Sequence, residues 1–265
     1  MRRFPAVAGL FYPSSPDALA EMVDSFLSAV PDYPKREYVA AVVPHAGYVY
    51  SGPIAAHAYK ALSTISPEHI VIAGPNHTGY GAAVSVWPEG VWETPLGDVP
   101  VDVDGVEYIL DRSSFAVADT DAHHYEHSVE VQLPFLQRIY KSFSFVPVTM
   151  FYQAPDAAQD LAVSLPPGTL FIASSDFSHY VPADVGREKD MRAIEYILAL
   201  DVQGFYDYVI SNDVSACGVG PIMAAMEYAK RLGAKGALLA FGNSGEASGD
   251  YDSVVDYAAI VFYKD

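Results

Sequence analysis

Histidine, aspartate and cysteine side chains follow four apolar, strand-like segments of the sequence. The segments and the residues that follow them are 38–43 with His45, 70–73 with His77, 170–173 with Asp176 and His179, and 206–210 with Cys217. Ligands of open α/β sheets bind in the crevice beyond the carboxyl ends of the strands. The spacing therefore predicts that these side chains line one shared pocket, where they could bind a metal ion or transfer a proton.

The two histidines and the cysteine are the candidate metal ligands. His45 lies in Pro-His-Ala-Gly and His77 in Pro-Asn-His-Thr-Gly, so each occupies a glycine-containing turn after a strand. Two imidazoles, a thiolate and an open coordination position favour iron, copper or zinc over magnesium or calcium. A helix predicted to begin near Pro221 is expected to lower the pKa of the Cys217 thiol. Hydrogen-bonded structural histidines and an inert buried thiol remain the alternatives.

Asp176 and His179 are the candidate catalytic residues. They stand three positions apart in Ser-Ser-Asp-Phe-Ser-His-Tyr, a spacing that places both on one side of a turn or a first helical turn. A carboxylate can orient an imidazole and fix its tautomer, as a general base requires. The alternative is a helix-capping Asp176 and a surface His179.

A second cluster begins at His123. The segment His-His-Tyr-Glu-His at 123–127 matches the H-x-x-E-H pattern of inverted zinc peptidases, although the pattern is short and its distal acidic ligand is missing. We therefore favour a different role, in which His127 and Glu130 point toward the shared crevice and support the ligands. Tyr48 and Asn76, which adjoin the two histidine motifs, are further candidates to support the ligands or bind substrate.

The pattern of the remaining chain predicts an α/β fold. We expect one domain over 1–265, with a largely parallel central sheet flanked by helices, because strand and helix patterns alternate. The predicted helices are 16–30, 53–62, 127–140 with a kink at Pro134, 187–200 and 221–232. The further predicted strands are 143–150, 237–241 and 254–262, and residues 244–250 are predicted to form a loop.

The amino-acid composition excludes several classes of binding partner. The chain has 265 residues and a formal charge of −18, from 15 basic and 33 acidic residues, which argues against binding nucleic acid or anionic membranes. No segment approaches the roughly 20 apolar residues of a membrane span or resembles a signal-peptide core. The single cysteine excludes an intrachain disulfide framework and fits a reducing cytoplasm. No glycine-rich phosphate loop is present, so we expect no nucleotide cofactor.

The motifs, taken in order, resemble those of the Memo (mediator of cell motility) family. The resemblance covers nearly the whole chain and rests on residues 3–12, 44–48, 74–77, 94–97, 126–130, 174–180 and 215–218. It implies a fold like that of class III extradiol dioxygenases, with His45, His77 and Cys217 in the places of two histidine ligands and one carboxylate ligand. His179 would stand where those enzymes keep their catalytic base. Cys217 in place of the carboxylate argues against extradiol dioxygenase activity.

The resemblance also implies partners and cofactors. Members of this family are associated with copper and iron binding and with redox roles, and an animal member is described as a phosphotyrosine-peptide-binding adaptor. Similar microbial proteins occur beside a radical-SAM protein, which implies a pathway partner. A small molecule or a peptide would occupy the strand-end crevice.

Three hypotheses follow. The leading one is a cytoplasmic metal-dependent redox protein in which His45, His77 and Cys217 bind iron or copper and Asp176 positions His179. The second is a non-enzymatic peptide-binding module that keeps a degenerate enzyme pocket. The third is a metal-free thiol hydrolase that uses Cys217 and His179.

Overall fold

The strands form one large sheet and one small sheet. The structure is a computed structural model that describes residues 1–265. The strands are β1 Arg2–Arg3, β2 Glu37–Val43, β3 His69–Pro75, β4 Val84–Val86, β5 Val91–Thr94, β6 Gly97–Pro100, β7 Ala116–Ala118, β8 Val146–Met150, β9 Thr169–Ser174, β10 His179–Val181, β11 Lys235–Asn243 and β12 Val254–Lys264. Strands β1, β5 and β6 form a 3-stranded sheet, and the other strands form a 9-stranded sheet.

Nine α-helices and one short 3₁₀ helix accompany the sheets. The α-helices are α1 Pro16–Ala29, α2 Tyr48–Leu62, α3 Val103–Leu110, α4 Leu133–Ile139, α5 Pro155–Val163, α6 Ala183–Leu198, α7 Val202–Ser211, α8 Val219–Arg231 and α9 Gly245–Ser248, and the 3₁₀ helix is Glu130–Gln132. None of the helices combines the length and the apolar character that crossing a membrane requires.

The centre of the large sheet is parallel. Strands β2, β9, β3 and β8 lie side by side in that order and point the same way, so their carboxyl ends share one edge. Outside this centre the pairings of β12 with β2, β11 with β12 and β4 with β8 are antiparallel. The prediction of an α/β class with flanking helices is confirmed, but the sheet is mixed rather than largely parallel. Residue periodicity reports burial and not strand direction, so it could not reveal this.

The central strands are buried along almost their whole length. Helix α2 packs against β2, β11 and β12, and helix α8 packs against β2, β3 and β9. Strands covered in this way are near-continuous apolar runs, as the segments 38–43, 70–73 and 170–173 are. The buried hydrophobic residues form one cluster of 71 residues that extends from Val7 to Phe262. This core fixes the sheet edge from which the candidate residues project.

Three local predictions were wrong. Residues 206–210 belong to helix α7, which begins after Asp201, whose side chain accepts a hydrogen bond from the Gly204 amide. A short apolar run can form either a strand or a buried helix, and here the Asp201 cap stabilises the helix. Pro134 lies in the first turn of α4 rather than at a kink, because a proline costs no hydrogen bond there. The predicted loop 244–250 contains the single-turn helix α9.

Candidate metal centre

Three separate loops bring the predicted ligands together. His45 lies two positions beyond β2, His77 two positions beyond β3, and Cys217 two positions before α8. His45 Nε2 is 3.3 Å from Cys217 Sγ, and one donor atom from each of the three residues lies within 4.8 Å of the others. Donors around a tetrahedral ion with bonds of about 2.0–2.3 Å lie about 3.3–3.8 Å apart. Small side-chain movements would therefore let all three bind one ion.

Glu126 prepares His77 for metal binding. The Nδ1 of His77 is 2.9 Å from Glu126 Oε1, and the His77 amide donates to Oε2 at 2.6 Å. Burial alone would raise the pKa of Glu126, but the hydrogen bond and charge of His77 lower this pKa to about 2. The carboxylate is thus ionised and accepts the Nδ1 proton, which leaves the Nε2 lone pair free for a metal. Glu126 entered the sequence analysis only as part of the peptidase pattern, so its partnership with His77 was missed.

Ser174 performs the same task for His45. Its hydroxyl donates to the carbonyl of Ser128 at 2.7 Å and accepts from Gln132 Nε2 at 2.8 Å. Its one proton is therefore committed, so at 2.8 Å it must accept the Nδ1 proton of His45. The lone pair of His45 Nε2 consequently faces Cys217. Burial, with His127 and His77 nearby, holds the pKa of His45 well below its usual value, so the ring is the neutral form that binds metals.

Asp176 contacts the His45 loop instead of His179. Its Oδ1 accepts from the amides of His45 at 2.8 Å and Ala46 at 3.3 Å, and its Oδ2 lies 4.0 Å from His45 Nε2. Burial raises the pKa of Asp176 to about 6. The partner of His179 is Ser215, whose carbonyl accepts from Nδ1 at 2.8 Å and whose hydroxyl accepts from the His179 amide at 2.8 Å. The prediction that Asp176 orients His179 is therefore wrong, and a backbone carbonyl does so.

The tautomer of His179 still suits proton transfer. A carbonyl oxygen can only accept, so Nδ1 of His179 carries a proton and the neutral ring keeps its lone pair on Nε2. Sequence could not identify Ser215 as the partner of the His179 ring, since the contact to Nδ1 is made by the main-chain carbonyl of Ser215.

The environment of Cys217 raises, and does not lower, the pKa of its thiol. Burial is the largest cause, and the nearby Asp176 carboxylate adds to it. The amide of Asp176 donates to Sγ at 3.3 Å. The expected acidifying effect of helix α8 is thus outweighed, and a bound cation is what would favour the thiolate here. A free thiolate nucleophile, as the thiol-hydrolase hypothesis requires, is disfavoured by the same burial.

His127 lies against the candidate centre. Its ring stacks on that of His77 at a centroid distance of 4.7 Å and lies 5.4 Å from that of His45. The Phe11 ring also contacts the His127 ring, in an edge-on arrangement with a centroid distance of 4.8 Å. His77, Glu126 and His127 form a second group whose donor atoms lie within 4.8 Å of one another. His127 therefore lies beside both candidate histidine ligands.

The other predicted supporting residues have different contacts. The Glu130 carboxylate pairs with Arg3 at 2.5 Å and accepts from the Tyr12 hydroxyl at 2.5 Å, so it fastens the amino-terminal segment. Tyr48 is buried and donates to the Val131 carbonyl. Asn76 accepts from the amides of residues 78 and 79 and thereby shapes the turn that follows His77.

The peptidase pattern does not form a zinc site. His123 is buried against Trp87 and Trp92, at ring-centroid distances of 6.1 and 5.6 Å, and its Nε2 faces the carbonyl of Ser85. It belongs to neither group of potential ligands. The match to H-x-x-E-H is therefore coincidental.

A cavity of about 530 Å³ lies at the opposite, amino-terminal edge of the parallel strands. Its walls include Tyr38, Leu165, Thr169, Tyr228 and Arg231. None of the candidate ligands lines this cavity, so it is separate from the centre at the carboxyl edge.

The fold and the donor set define an α/β protein with a candidate His-His-Cys metal centre. A family model described as Memo-like protein matches residues 3–261. A MEMO1 family protein of Desulfurococcus amylolyticus is 46% identical over 280 residues, covering 99% of each chain. One from Methanopyrus kandleri is 45% identical over 282 residues, covering 100% of each chain. The chain belongs to the Memo family.

One solved structure is similar to this chain, and this similarity concerns the fold alone. The crystal structure of an uncharacterized protein from Escherichia coli K12 superimposes with a TM-score of 0.55 at 13% sequence identity. The match covers 84% of this chain and 99% of that one.

Proposed function

We propose that this protein binds iron or copper through His45 Nε2, His77 Nε2 and Cys217 Sγ and carries out redox chemistry there on a small molecule or peptide. The observation that carries the proposal is the convergence of three donor atoms within 4.8 Å. Both imidazoles support it, because each has its Nδ1 proton held by another residue and its Nε2 free. Zinc fits the same donors but would not supply redox chemistry.

The residues around the donors have distinct roles in this proposal. Iron or copper would supply a change of oxidation state to the centre. Glu126 holds His77, and Ser174 holds His45, so both rings are oriented before a metal arrives. His179, with its Nε2 lone pair free, would accept or return a proton at a substrate. Asp176 fixes the His45 loop through two amides and places a carboxyl group 4.0 Å from His45 Nε2.

Anaerobic titration with Fe(II), Cu(I) and Zn(II), followed by elemental analysis, tests this proposal. We expect one ion per chain in the native protein and a loss of at least about a hundredfold in affinity for Cys217→Ser, more than the 10–100-fold typical of supporting residues. His57→Asn is the matched control, since His57 lies on α2 and bonds to Tyr33. Unchanged affinity in Cys217→Ser would remove the cysteine from the site.

A peptide-binding role is the second candidate. Three exposed aromatic side chains stand around the centre: Tyr80 and Tyr125 on loops and Tyr180 on β10, which are 63%, 75% and 78% exposed. Aromatic side chains are enriched at protein interfaces, so these tyrosines could hold a peptide. Substituting the three tyrosines by serine would abolish peptide binding in this case and leave metal affinity intact. Peptide affinity that ignores all three substitutions would dismiss the second candidate.

A further inference from the structure

Two buried carboxyl groups lie together beside the segment 176–179 and are not among the candidate metal ligands. They belong to Asp190 on α6 and Asp256 on β12, and both residues are fully buried. Each carboxyl group is within hydrogen-bonding distance of the other. Ionised carboxylates are acceptors only, so two of them cannot bond to each other without a proton.

The two carboxyl groups have unequal partners. The Ser178 hydroxyl donates to Asp190 Oδ1 at 2.7 Å and the Ser178 amide donates to Oδ2 at 3.0 Å. No donor group of the chain reaches either carboxyl oxygen of Asp256. Helix α6 closes one side of Asp256 with main chain, since a Cβ at Gly186 would lie 2.4 Å from Oδ2, while the Gly186 amide donates to the Pro182 carbonyl.

This asymmetry assigns the proton to Asp256. Hydrogen bonds from Ser178 favour the ionised form of Asp190, whereas Asp256 has nothing to offset the cost of a buried charge. Burial, the bond to Asp190 and the charge of Asp190 together raise the pKa of Asp256 to about 8. The other titratable or charged groups that face the pair are Arg187 on α6, His179 on β10, Tyr208 on α7 and Tyr257 on β12.

The carboxyl pair is joined to the segment 176–179 on two sides. The Phe177 amide donates to the Asp256 carbonyl, and the Asp256 amide donates to the Ser178 carbonyl, each at 2.9 Å. The two bonds from Ser178 to Asp190 hold the same segment from α6. An O–H···O bond between the two carboxyl groups therefore ties α6 and β12 together around residues 177 and 178.

We propose that Asp190 and Asp256 share one proton and in this way position the segment that carries Asp176 and His179. Both are positioning residues, because neither belongs to a group of potential ligands. Loss of the proton would leave two adjacent buried charges that repel each other and loosen the segment. The proposal deepens the proposed function, because His179 acts there, but its tests need neither metal nor turnover, so either proposal can fail alone.

Denaturant unfolding at a series of pH values tests whether the proton is present. A carboxyl group with a raised pKa in the folded protein stabilises the fold at low pH, and this stabilisation is lost as the pH rises toward about 8. Asp256→Asn puts a permanent N–H donor in its place. The unfolding constant of the native protein, divided by that of Asp256→Asn, should therefore rise by up to about tenfold per pH unit between about pH 5 and pH 8.

The control for this profile is Glu188→Gln, which removes an exposed charge from the same helix. The same ratio for Glu188→Gln should stay constant over this range, because an exposed carboxylate keeps its ordinary pKa in both states. A ratio for Asp256→Asn that changes by less than about twofold over the whole range would overturn the proposal.

Matched asparagine substitutions test the positioning role. Asp256→Asn keeps a donor toward Asp190, so hydrogen exchange of the Ser178 amide should stay within about threefold of the native rate. Asp190→Asn replaces one acceptor of Ser178 by a donor and should speed this exchange at least about tenfold. The NMR signal of the His179 Nδ1 proton, which bonds to the Ser215 carbonyl, should broaden only in Asp190→Asn. Equal effects of the two substitutions would overturn the proposal.

A measurement on the native chain guards against misfolding of Asp190→Asn. The infrared difference between the native protein and Asp256→Asn near pH 7 should contain the C=O stretch of a protonated carboxyl group, and this band should disappear above the raised pKa of Asp256. A cation bound between two carboxylates would give no such band, and the stability would then depend on the concentration of Na⁺ or Ca²⁺. Absence of the band would overturn the proposal.

Discussion

The two candidate histidine ligands occupy contrasting environments. The His45 side chain is 2% exposed and its Nδ1 donates to a neutral hydroxyl, whereas that of His77 is 35% exposed and its Nδ1 donates to an ionised carboxylate. Burial lowers the pKa of His45. Burial also acts to lower the pKa of His77, but the bond to Glu126 outweighs it and the pKa is raised. One ligand is thus fixed and neutral, and the other is accessible and basic.

This contrast suggests that the two histidines have different roles in metal binding. A buried neutral imidazole holds its position and stays available to a metal at low pH. An exposed imidazole beside a carboxylate is the better donor, because the carboxylate raises its basicity, but protons compete for it. The entry of an ion would then be governed by His77, and its final position by His45 and Cys217. Each prediction below compares the two sides of the centre.

Removing either imidazole should have the largest effect. We expect His45→Gln and His77→Gln each to weaken metal affinity by at least about a hundredfold. Both should also destabilise the fold, by about 1–3 kcal/mol each, because His45→Gln disturbs the buried bond to Ser174 and His77→Gln removes the partner of the buried Glu126 carboxylate. Metal titration measures the loss of affinity, and thermal or denaturant unfolding measures the loss of stability. Unchanged metal affinity in either variant would remove that histidine from the centre.

Removing the supporting groups should have the next largest effect. Glu126→Gln should lower metal affinity by about 10–100-fold, and Ser174→Ala by less, because only the first loses a charge that strengthens the imidazole. Glu89→Gln, an exposed surface change, is the control. Isothermal titration of the metal measures all three. A larger loss of metal affinity in Ser174→Ala than in Glu126→Gln would contradict the view that His77 is the better metal donor of the two histidines.

The pH dependence of metal affinity should show directly whether His77 is a ligand. The raised pKa of the Cys217 thiol means that metal binding releases its proton, so log affinity should rise by about one unit per pH unit. Below the raised pKa of His77 a second proton must leave, and the slope should steepen to about two. The lowered pKa of His45 keeps that ring neutral over the same range. In Glu126→Gln the break should move to lower pH, and a single slope in the native protein would count against His77 as a ligand.

His179 should have the smallest effect on the metal. Its Nδ1 is held by the Ser215 carbonyl, and it belongs to neither group of potential ligands. We therefore expect His179→Gln to change metal affinity by less than about threefold, within the variation expected of a residue that does not bind the ion. Competition with a chromogenic chelator measures this, and a loss comparable to that of His77→Gln would make His179 a ligand.

Much of the centre could be predicted from the sequence, because apolar runs ending in His45, His77 and Asp176 mark strands that share an edge. The bonds that prepare the rings could not be predicted in this way. Glu126, Ser174 and Gln132 lie far from their partners along the chain, and their contacts depend on how β9 and the 3₁₀ turn pack.

Cys217 is a second example of a position that the sequence could not explain. Its place near the two histidines was expected from a strand, but the preceding segment is helix α7. The thiol reaches the centre because the turn before α8 meets the segment that follows β9, where the Cys217 amide donates to the Asp176 carbonyl and the Asp176 amide donates to Cys217 Sγ. Direction of strands and pairing of loops are tertiary properties, and the mixed sheet was missed for the same reason.

X-ray absorption on the iron- or copper-loaded native protein tests the central claim most directly. We predict one sulfur neighbour at about 2.3 Å together with nitrogen neighbours, and the loss of the sulfur signal in Cys217→Ser. A first shell of oxygen and nitrogen only, identical in the native protein and in Cys217→Ser, would contradict the assignment of His45, His77 and Cys217 as one metal centre.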